Sequence, residues 1–318
     1  MNKHFAITGV AGYIAPRHLK AIKETGNQLV AAMDPHDSVG ILDRYFKDVS
    51  FFTEFERFDR HLERIKRDPN RRPIDYLSIC APNYLHDAHI RLALRLGANA
   101  ICEKPLVTNP WQLDALEELE AESPGKVSNI LQLRVHPTIL ELKRELELHP
   151  PDHKYEIDLT YITSRGPWYL YSWKGNPDKS GGIATNIGIH FFDLIIWLFG
   201  PVQDYKVYVS NKMKMSGSIE LRNANVKWFL SIDKTDLPES AVAEGKPTFR
   251  SLTYDGKEIE FSTGFTDLHT RMYEEILAGG SYGMSEARPS IELVYKIRTA
   301  DISPVDDAAH PFVQRTKA

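Results

Sequence analysis

The run His4-Phe5-Ala6-Ile7-Thr8-Gly9-Val10-Ala11-Gly12-Tyr13-Ile14-Ala15 decides the fold. Five residues of strand character stop at a glycine. An amphipathic helical pattern, Ile14–Thr25, follows at once and closes at Gly26. A strand that turns through glycines into a helix offers first-turn N–H groups and the positive end of the helix dipole, a natural seat for a phosphate. Gly9 is the turn glycine, Gly12 lets a pyrophosphate approach the backbone, and Ala15 takes the small helix-packing position. The spacing carries one residue more than the usual G-x-G-x-x-G/A, so the motif depends on its context.

That context continues outward. Strand patterns at Gln28–Met33, Val49–Phe52, Ile74–Cys80, Asn99–Cys102 and Asn129–Leu133 alternate with helical patterns at Val39–Phe46, Phe55–Lys66, Tyr84–Leu96 and Trp111–Ala121. Gly97 reads as a helix stop and Pro110 as a first helical position. Continuous apolar strands alternating with helices predict an α/β fold, a doubly wound parallel sheet over residues 1–133. The mixed-charge stretch Glu56–Pro73 reads as a solvated helix and its exit loop.

Asp34 ends the second strand, 25 positions after Gly9. A carboxylate there accepts hydrogen bonds from the adenosine ribose and repels a 2′-phosphate, which predicts NAD rather than NADP. The plainer alternative is that Asp34-Pro35 starts a turn. Ligands of open α/β sheets bind beyond the carboxyl ends of the strands. The fourth strand ends at Cys80-Ala81-Pro82-Asn83 and the fifth at Cys102-Glu103-Lys104-Pro105, so both segments border the crevice for the nicotinamide.

Past a helical stretch at Ile139–Leu148, His149-Pro150-Pro151 breaks the pattern and the texture changes. Lys154–Thr163, Val202–Ser210, Gly217–Arg222, Val226–Ile232, Phe249–Tyr254 and Lys257–Phe261 alternate or are rich in β-branched and aromatic residues, and Asp255-Gly256 marks a hairpin. An apolar helix, Gly188–Phe199, closed by Gly200-Pro201, interrupts them. Residues 134–318 therefore read as a second domain on a mostly antiparallel sheet, in keeping with a 318-residue chain too long for one core.

Net charge is −4, so nucleic acid is not expected and an anionic substrate must be met by local positive charge. The only cysteines, Cys80 and Cys102, end apolar strands and read as buried free thiols of a reducing cytosol. The longest apolar stretch, around Phe191 to Phe199, falls short of the roughly 20 residues that span a bilayer. A cytoplasmic protein without a membrane partner is the expectation.

Ala81-Pro82-Asn83-Tyr84-Leu85-His86, then Cys102-Glu103-Lys104-Pro105-Leu106, then Ser180-Gly181-Gly182-Ile183-Ala184-Thr185-Asn186-Ile187-Gly188-Ile189-His190 resemble, in order, the motifs of the glucose–fructose oxidoreductase / inositol dehydrogenase / rhizopine-catabolism (Gfo/Idh/MocA) family. The likeness covers nearly the whole chain. It implies a Rossmann domain followed by an α/β domain on an open, mainly antiparallel sheet, through which a homotetramer is expected to form. It also implies cofactor contacts from Tyr13, Ile14, His86, Glu103, Lys104 and Gln132, beside Gly9, Gly12, Asp34, Ala81, Pro82 and Asn83. Within the family, Gly166-Pro167-Trp168-Tyr169, the run Ser172–Gly182 and Gly12–His18 are most similar to bacterial dehydrogenases of UDP-N-acetyl-glucosaminuronate. Those enzymes oxidise the sugar C3 hydroxyl for lipopolysaccharide O-antigen, and some recycle bound NADH with 2-oxoglutarate. The substrate rests on the resemblance alone.

Oxidising a secondary alcohol needs a hydride acceptor and a group that takes the hydroxyl proton. His190, with an imidazole pKa near about 6.5, suits that transfer at neutral pH. Lys104 then orients the oxygen as a cation; desolvated, it serves as the base itself. Asn186 stands where the family pattern has an Asp, one helical turn before His190. An amide holds a substrate hydroxyl but lends an imidazolium no charge, which moves weight toward Lys104. Arg165 suits a bidentate grip on the uronate carboxylate, while Tyr169, Ser172 and Lys179 line the sugar and diphosphate path; surface-loop roles are the alternative for each. His190 and Asp193 share a helix face, but no further His or Cys cluster completes a metal site, so no metal is expected. The competing functions are a dehydrogenase of a free sugar or cyclitol, transient use of bound NAD in glycoside cleavage, and a non-catalytic dinucleotide-sensing regulator. Possession of both Lys104 and His190 argues against the last.

Overall fold

Strand β1 (His4–Thr8) lies inside a six-stranded sheet, flanked by β2 (Gln28–Met33) and β4 (Tyr76–Ile79). With β3 (Ser50–Phe52), β5 (Asn99–Cys102) and β6 (Val127–Asn129) the order is β3-β2-β1-β4-β5-β6, and every pairing is parallel. The order reverses between β1 and β4, so the loops leaving these two strands flank the switch-point crevice. The computed structural model describes residues 2–148, 153–259 and 267–315.

Helices α1 (Ala15–Glu24), α2 (Phe55–Arg67), α3 (His86–Leu96) and α4 (Pro110–Ala121) form where the 3.6-residue pattern places them. α1 buries Ala15, His18, Leu19, Ala21 and Ile22 on one face. α4 starts on a capping box in which the Gln112 side chain accepts the Asn109 N–H at 3.0 Å. Two expectations fail. Val39–Phe46 is not a helix; only a 3-10 turn, Leu42–Arg44, forms, because Gly40 weakens the start and Leu42 alone among its apolar residues is buried. The last strand lies earlier than Asn129–Leu133. Ile130, Leu131 and Leu133 are buried in a loop and the 3-10 turn Gln132–Val135, and continuous burial there imitates a strand.

The second sheet contains β7 (Tyr155–Thr163), β8 (Val202–Ser210), β9 (Lys214–Leu221), β10 (Ala224–Ser231), β11 (Thr248–Tyr254) and β12 (Lys257–Glu258), in the order β12-β11-β7-β10-β9-β8. Only β7 and β10 run parallel. The β11–β12 turn falls on Asp255-Gly256, both with positive φ. Residues 149–151 and 260–261, expected as a break and a strand end, lie outside the described residues. The helix Ile189–Phe199 packs on this sheet through Phe191 against Tyr161 (centroids 5.0 Å apart) and Phe192 edge-on to Trp228 (5.4 Å). Truncating Phe192 or Trp228 is expected to cost roughly 3–5 kcal/mol. Counted from Pro177 the helical run to Phe199 is 23 residues, longer than the apolar stretch read from sequence and long enough to span a bilayer by length and composition; 67% of its most apolar window is buried, as in a core helix.

Helices Leu268–Leu277 and Met284–Thr299 have no counterpart among the expected elements. The first packs on α1. The chain divides into two compact units, residues 1–135 with 266–288, and residues 136–265 with 289–318, so the first sheet recruits a segment from far along the chain.

Candidate active site

In the first unit, the glycine turn is forced by close backbone approach. Gly9 has φ +77°, and a Cβ on it would stand 2.5 Å from the Cys80 carbonyl and 2.6 Å from the Ala81 nitrogen. The β1 and β4 loops lie this near only because no side chain intervenes. Gly9 N–H donates to the Met33 carbonyl (2.8 Å) and Gly12 N–H to the Gly9 carbonyl (3.0 Å). Asp34, 5% exposed, fastens the same turn: Oδ2 accepts from Ala11 N–H at 3.0 Å and Oδ1 from His36 N–H at 2.9 Å. The turn role is therefore real, and the carboxylate keeps lone pairs beyond the two that these bonds use. No side chain caps α1 at Ile14, the arrangement in which a bound phosphate completes the helix end. Tyr13 is 89% exposed beside it.

Beyond β4, Ala81 and Asn83 are buried and Pro82 is half-buried. His86 is fully buried, with Nδ1 2.7 Å from the Pro105 carbonyl and Nε2 2.8 Å from the Ala81 carbonyl. It ties the loops after β4 and β5 together, with both ring nitrogens directed at backbone carbonyls. Burial lowers its pKa, against the push of those two carbonyls.

Beyond β5, Glu103 turns its carboxylate inward. Oε1 accepts from His18 Nε2 (2.9 Å) and from His269 Nε2 (2.8 Å), and Oε2 accepts the Lys104 N–H (3.2 Å). Burial alone raises a carboxyl pKa; the two imidazole hydrogen bonds overcome it and hold Glu103 well below the usual carboxylate range. His18 Nδ1 lies 2.8 Å from the Tyr273 hydroxyl, itself 2.7 Å from Ser78 Oγ. Asn129 Nδ2 donates to the carbonyls of Cys102 (3.0 Å) and Glu103 (3.3 Å). Lys104 is half-buried, and its bond to Pro105 is cis. Gln132 is buried in a turn that Arg134 pins to Glu286 (Nη1–Oε2 2.5 Å). Cys80 and Cys102 are buried free thiols.

His18, Glu103 and His269 are also the one His/Cys/Asp/Glu trio among the described residues whose ligand-type atoms lie within 4.8 Å of one another. Both imidazoles point at a single oxygen at N–H···O distance, the geometry of a hydrogen-bonded cluster. His269 Nδ1 is buried with no partner, a loss of about 1–3 kcal/mol that the cluster carries.

In the second unit, β7 runs out into Arg165, which is exposed, and then into short turns: Trp168–Tyr171, Trp173–Gly175 and Pro177–Ser180. Tyr169 is buried and its hydroxyl accepts from Asn186 Nδ2 at 2.6 Å, so two predicted site residues meet. Burial raises the Tyr169 pKa, opposed by Asn186 and the Arg165 charge. Ser172 Oγ donates to the Tyr169 carbonyl (2.9 Å) and caps the following turn at Lys174 N–H (3.3 Å), while Lys179 is exposed. Gly181 has φ +79°, and a Cβ there would strike Thr185 at 2.6 Å. The chain then enters a π-helical turn, Ala184–Gly188, that carries Asn186, and continues into the helix holding half-buried His190. A π turn departs from ordinary helical spacing and recurs at functional sites. Lys104 belongs to the first unit and His190 to the second.

Sequence reasoning missed Ser78, Asn129, His269 and Tyr273 as supports of the Lys104 loop. His18 lay in a quoted motif without a role. Polar residues at the ends or buried faces of apolar elements were the available signal.

The oxidoreductase-family model for the NAD-binding Rossmann fold matches residues 3–130, and the one for the C-terminal α/β domain matches residues 153–234. The WlbA (WbpB) dehydrogenase of Thermus thermophilus, solved with NAD and α-ketoglutarate, is 50% identical over 98% of this chain and 100% of that one, with a TM-score of 0.94. The same enzyme solved with NAD and UDP-GlcNAcA gives 0.93 at 50% identity. The WlbA dehydrogenase of Bordetella pertussis shares the fold at 18% identity, TM-score 0.76, over 96% of this chain and 100% of that one. Among curated relatives, the putative oxidoreductase YteT of Bacillus subtilis is 28% identical over 40% of this chain and 30% of its own length. Inositol 2-dehydrogenase of Rhizobium meliloti is 26% identical over 63% and 56%. The matched region thus spans less than two thirds of the length of these curated relatives. With both domain models matched in order and a half-identical full-length relative, the chain belongs to the Gfo/Idh/MocA oxidoreductase family and carries its NAD-binding Rossmann fold.

Proposed function

We propose that this protein oxidises the C3 hydroxyl of UDP-N-acetyl-glucosaminuronate to the 3-keto sugar nucleotide, with NAD as hydride acceptor, in the supply of lipopolysaccharide O-antigen sugars. The observation that carries the reading is the 50% identity, over essentially both whole chains, to a dehydrogenase solved with NAD and UDP-GlcNAcA. The inositol 2-dehydrogenase likeness, which would favour a free cyclitol, is weaker and partial.

NAD, when bound, supplies the nicotinamide that accepts the hydride. Residues 1–133 hold it. The uncapped start of α1 at Tyr13 and Ile14, beside Gly9 and Gly12, fits a pyrophosphate; Asp34 fits the adenosine ribose; Ala81, Pro82, Asn83 and Gln132 fit the nicotinamide side. Residues 134–318 bind the sugar nucleotide and form a homotetramer through the open sheet. His190 takes the C3 hydroxyl proton as the C3–H electron pair departs, and Lys104 holds the oxygen as charge develops on it. Asn186, already bonded to Tyr169, presents an uncharged amide and lends the resulting imidazolium no charge. Arg165 grips the uronate carboxylate, with Tyr169, Ser172 and Lys179 along the sugar and diphosphate path. Likeness to the enzyme solved with α-ketoglutarate supports reoxidation in place, hydride and a proton passing to 2-oxoglutarate to give 2-hydroxyglutarate. No metal enters the reaction, and the protein works in the cytoplasm.

The test is turnover of purified protein with UDP-N-acetyl-glucosaminuronate, NAD and 2-oxoglutarate. A product lighter by two hydrogens, formed in step with 2-hydroxyglutarate, is expected. No turnover over a broad sugar-nucleotide panel despite tight NAD binding would instead mark a dinucleotide-sensing regulator.

A further inference from the structure

Glu103 immediately precedes Lys104, yet its carboxylate faces the interior and is held from three directions. His18 comes from α1, His269 from the helix Leu268–Leu277, and the third donor is the Lys104 backbone itself. All of these belong to the first unit. The hydrogens of the cluster follow from its chemistry. An ionised carboxylate only accepts, so His18 Nε2 and His269 Nε2 both carry protons. Burial lowers the His18 pKa, and in the neutral ring with its proton on Nε2 the Nδ1 is a bare lone pair. That lone pair accepts the Tyr273 O–H, whose oxygen in turn accepts from Ser78. The Ser78–Tyr273 pair thereby locks His18 in the tautomer that points N–H at Glu103. The opposite tautomer would set a lone pair against the carboxylate and release one of its anchors.

We propose that His18 and His269 are positioning residues for Lys104, acting through the Glu103 carboxylate, with Tyr273 fixing the His18 tautomer. The inference rests on the reading of Lys104 as the group that touches the substrate oxygen. Because the Lys104 N–H is bonded to Glu103 Oε2, a carboxylate that shifts or rotates moves the loop by an amount that matters for chemistry before it matters for binding. The partnerless Nδ1 of buried His269 fits this view: the residue is retained for the bond its other nitrogen makes.

The experiment uses the full chain and measures kcat, KM for UDP-N-acetyl-glucosaminuronate, NAD affinity, and amide exchange over residues 102–106. The variants are His269→Leu, His269→Gln and Tyr273→Phe, with Lys104→Ala alongside. His269→Leu is expected to lower kcat by about 10- to 100-fold while KM and NAD affinity stay within about twofold. His269→Gln, which restores an N–H donor, is expected to recover most of the rate. Tyr273→Phe is expected to lower kcat a few-fold, and exchange at the loop amides to rise in the order of the kcat losses. Unchanged kcat and exchange in His269→Leu and Tyr273→Phe overturns the proposal. So does a loss shared by kcat, KM and NAD affinity that His269→Gln fails to rescue. If His269→Leu does not fold, Tyr273→Phe, which deletes one oxygen, decides alone. Should Lys104→Ala keep full turnover, the functional reading of Lys104 fails, and loop exchange still decides whether the network holds the loop.

Discussion

The loop after β5 and the loop after β7 both carry residues assigned to the reaction, yet the first is clamped from inside and the second is laid on the surface. Around Lys104 the anchors are buried: Glu103, His18, His269, Tyr273 and Asn129 each spend a side chain on holding backbone or one another. Around Arg165 the chain advances by three short turns, with Trp168 54% and Tyr171 89% exposed and the Lys174 ammonium 5.1 Å from the Trp168 and Trp173 ring centroids. A buried network holds a reacting group to a fixed geometry, whereas exposed aromatics and cations on short turns adapt to a ligand. The Lys104 loop, proposed to border the cofactor, is thus fixed by buried side chains, whereas the Arg165 turns, proposed to meet the substrate, present exposed aromatics and cations.

The sharpest way to break this contrast is to remove the groups proposed to react, one at a time. Lys104→Ala and His190→Ala are each expected to lower kcat by about 100- to 10,000-fold with NAD affinity retained. Near-normal hydride transfer in His190→Ala beside abolition in Lys104→Ala would move the base to Lys104. A smaller effect is expected on the adaptable side. Arg165→Ala should raise KM for the uronate by about 10- to 100-fold and leave KM for UDP-N-acetylglucosamine, which lacks the carboxylate, nearly unchanged. Equal losses on both substrates would remove the carboxylate role.

Two stability measurements sharpen the comparison further. Gly9→Ala sets a Cβ against the Cys80 carbonyl at positive φ, while Gly182→Ala meets positive φ in open space. Denaturant titration should therefore give a cost of about 1–3 kcal/mol or more for Gly9→Ala and the lower end of that range for Gly182→Ala. The last effect is a pH slope. Burial lowers the pKa of His18, His86 and His89, the last to about 3, and all three lie in the first unit. Their folded-state values sit below the unfolded value near about 6.5, so the unfolded chain takes up protons first as pH falls. Stability is full above that pH and declines below it, through His89 down to about pH 3. Hydrogen exchange at about pH 5 should show first-unit peptides losing protection ahead of second-unit peptides. The reverse order would contradict the assignment.

Much of the first unit was legible because local rules act there. The strand–glycine–helix run, the Gly97 stop and the Asn109–Pro110 start depend on near neighbours, and the elements formed within a residue or two. What was hidden depends on distant partners or on departures from regular spacing. Burial of Ile130 to Leu133 in a loop passed for a strand, and the helix Leu268–Leu277 joins the first unit from far along the chain. The π turn at Ala184–Gly188 breaks the period on which the Asn186–His190 spacing was read. At the site, residue types pointed to Lys104 and Asp34. They did not reveal that Glu103 and His86 face inward, since the same side chains in a surface loop would read identically.

The central claim is most directly tested with substrate carrying deuterium at C3, followed through a single turnover on NAD-loaded protein. Oxidation at C3 predicts that the deuterium leaves the sugar and appears on the reduced nicotinamide, or on 2-hydroxyglutarate when 2-oxoglutarate is present. Deuterium kept in an oxidised sugar product would place the reaction at another carbon, and an unaltered substrate would contradict the account.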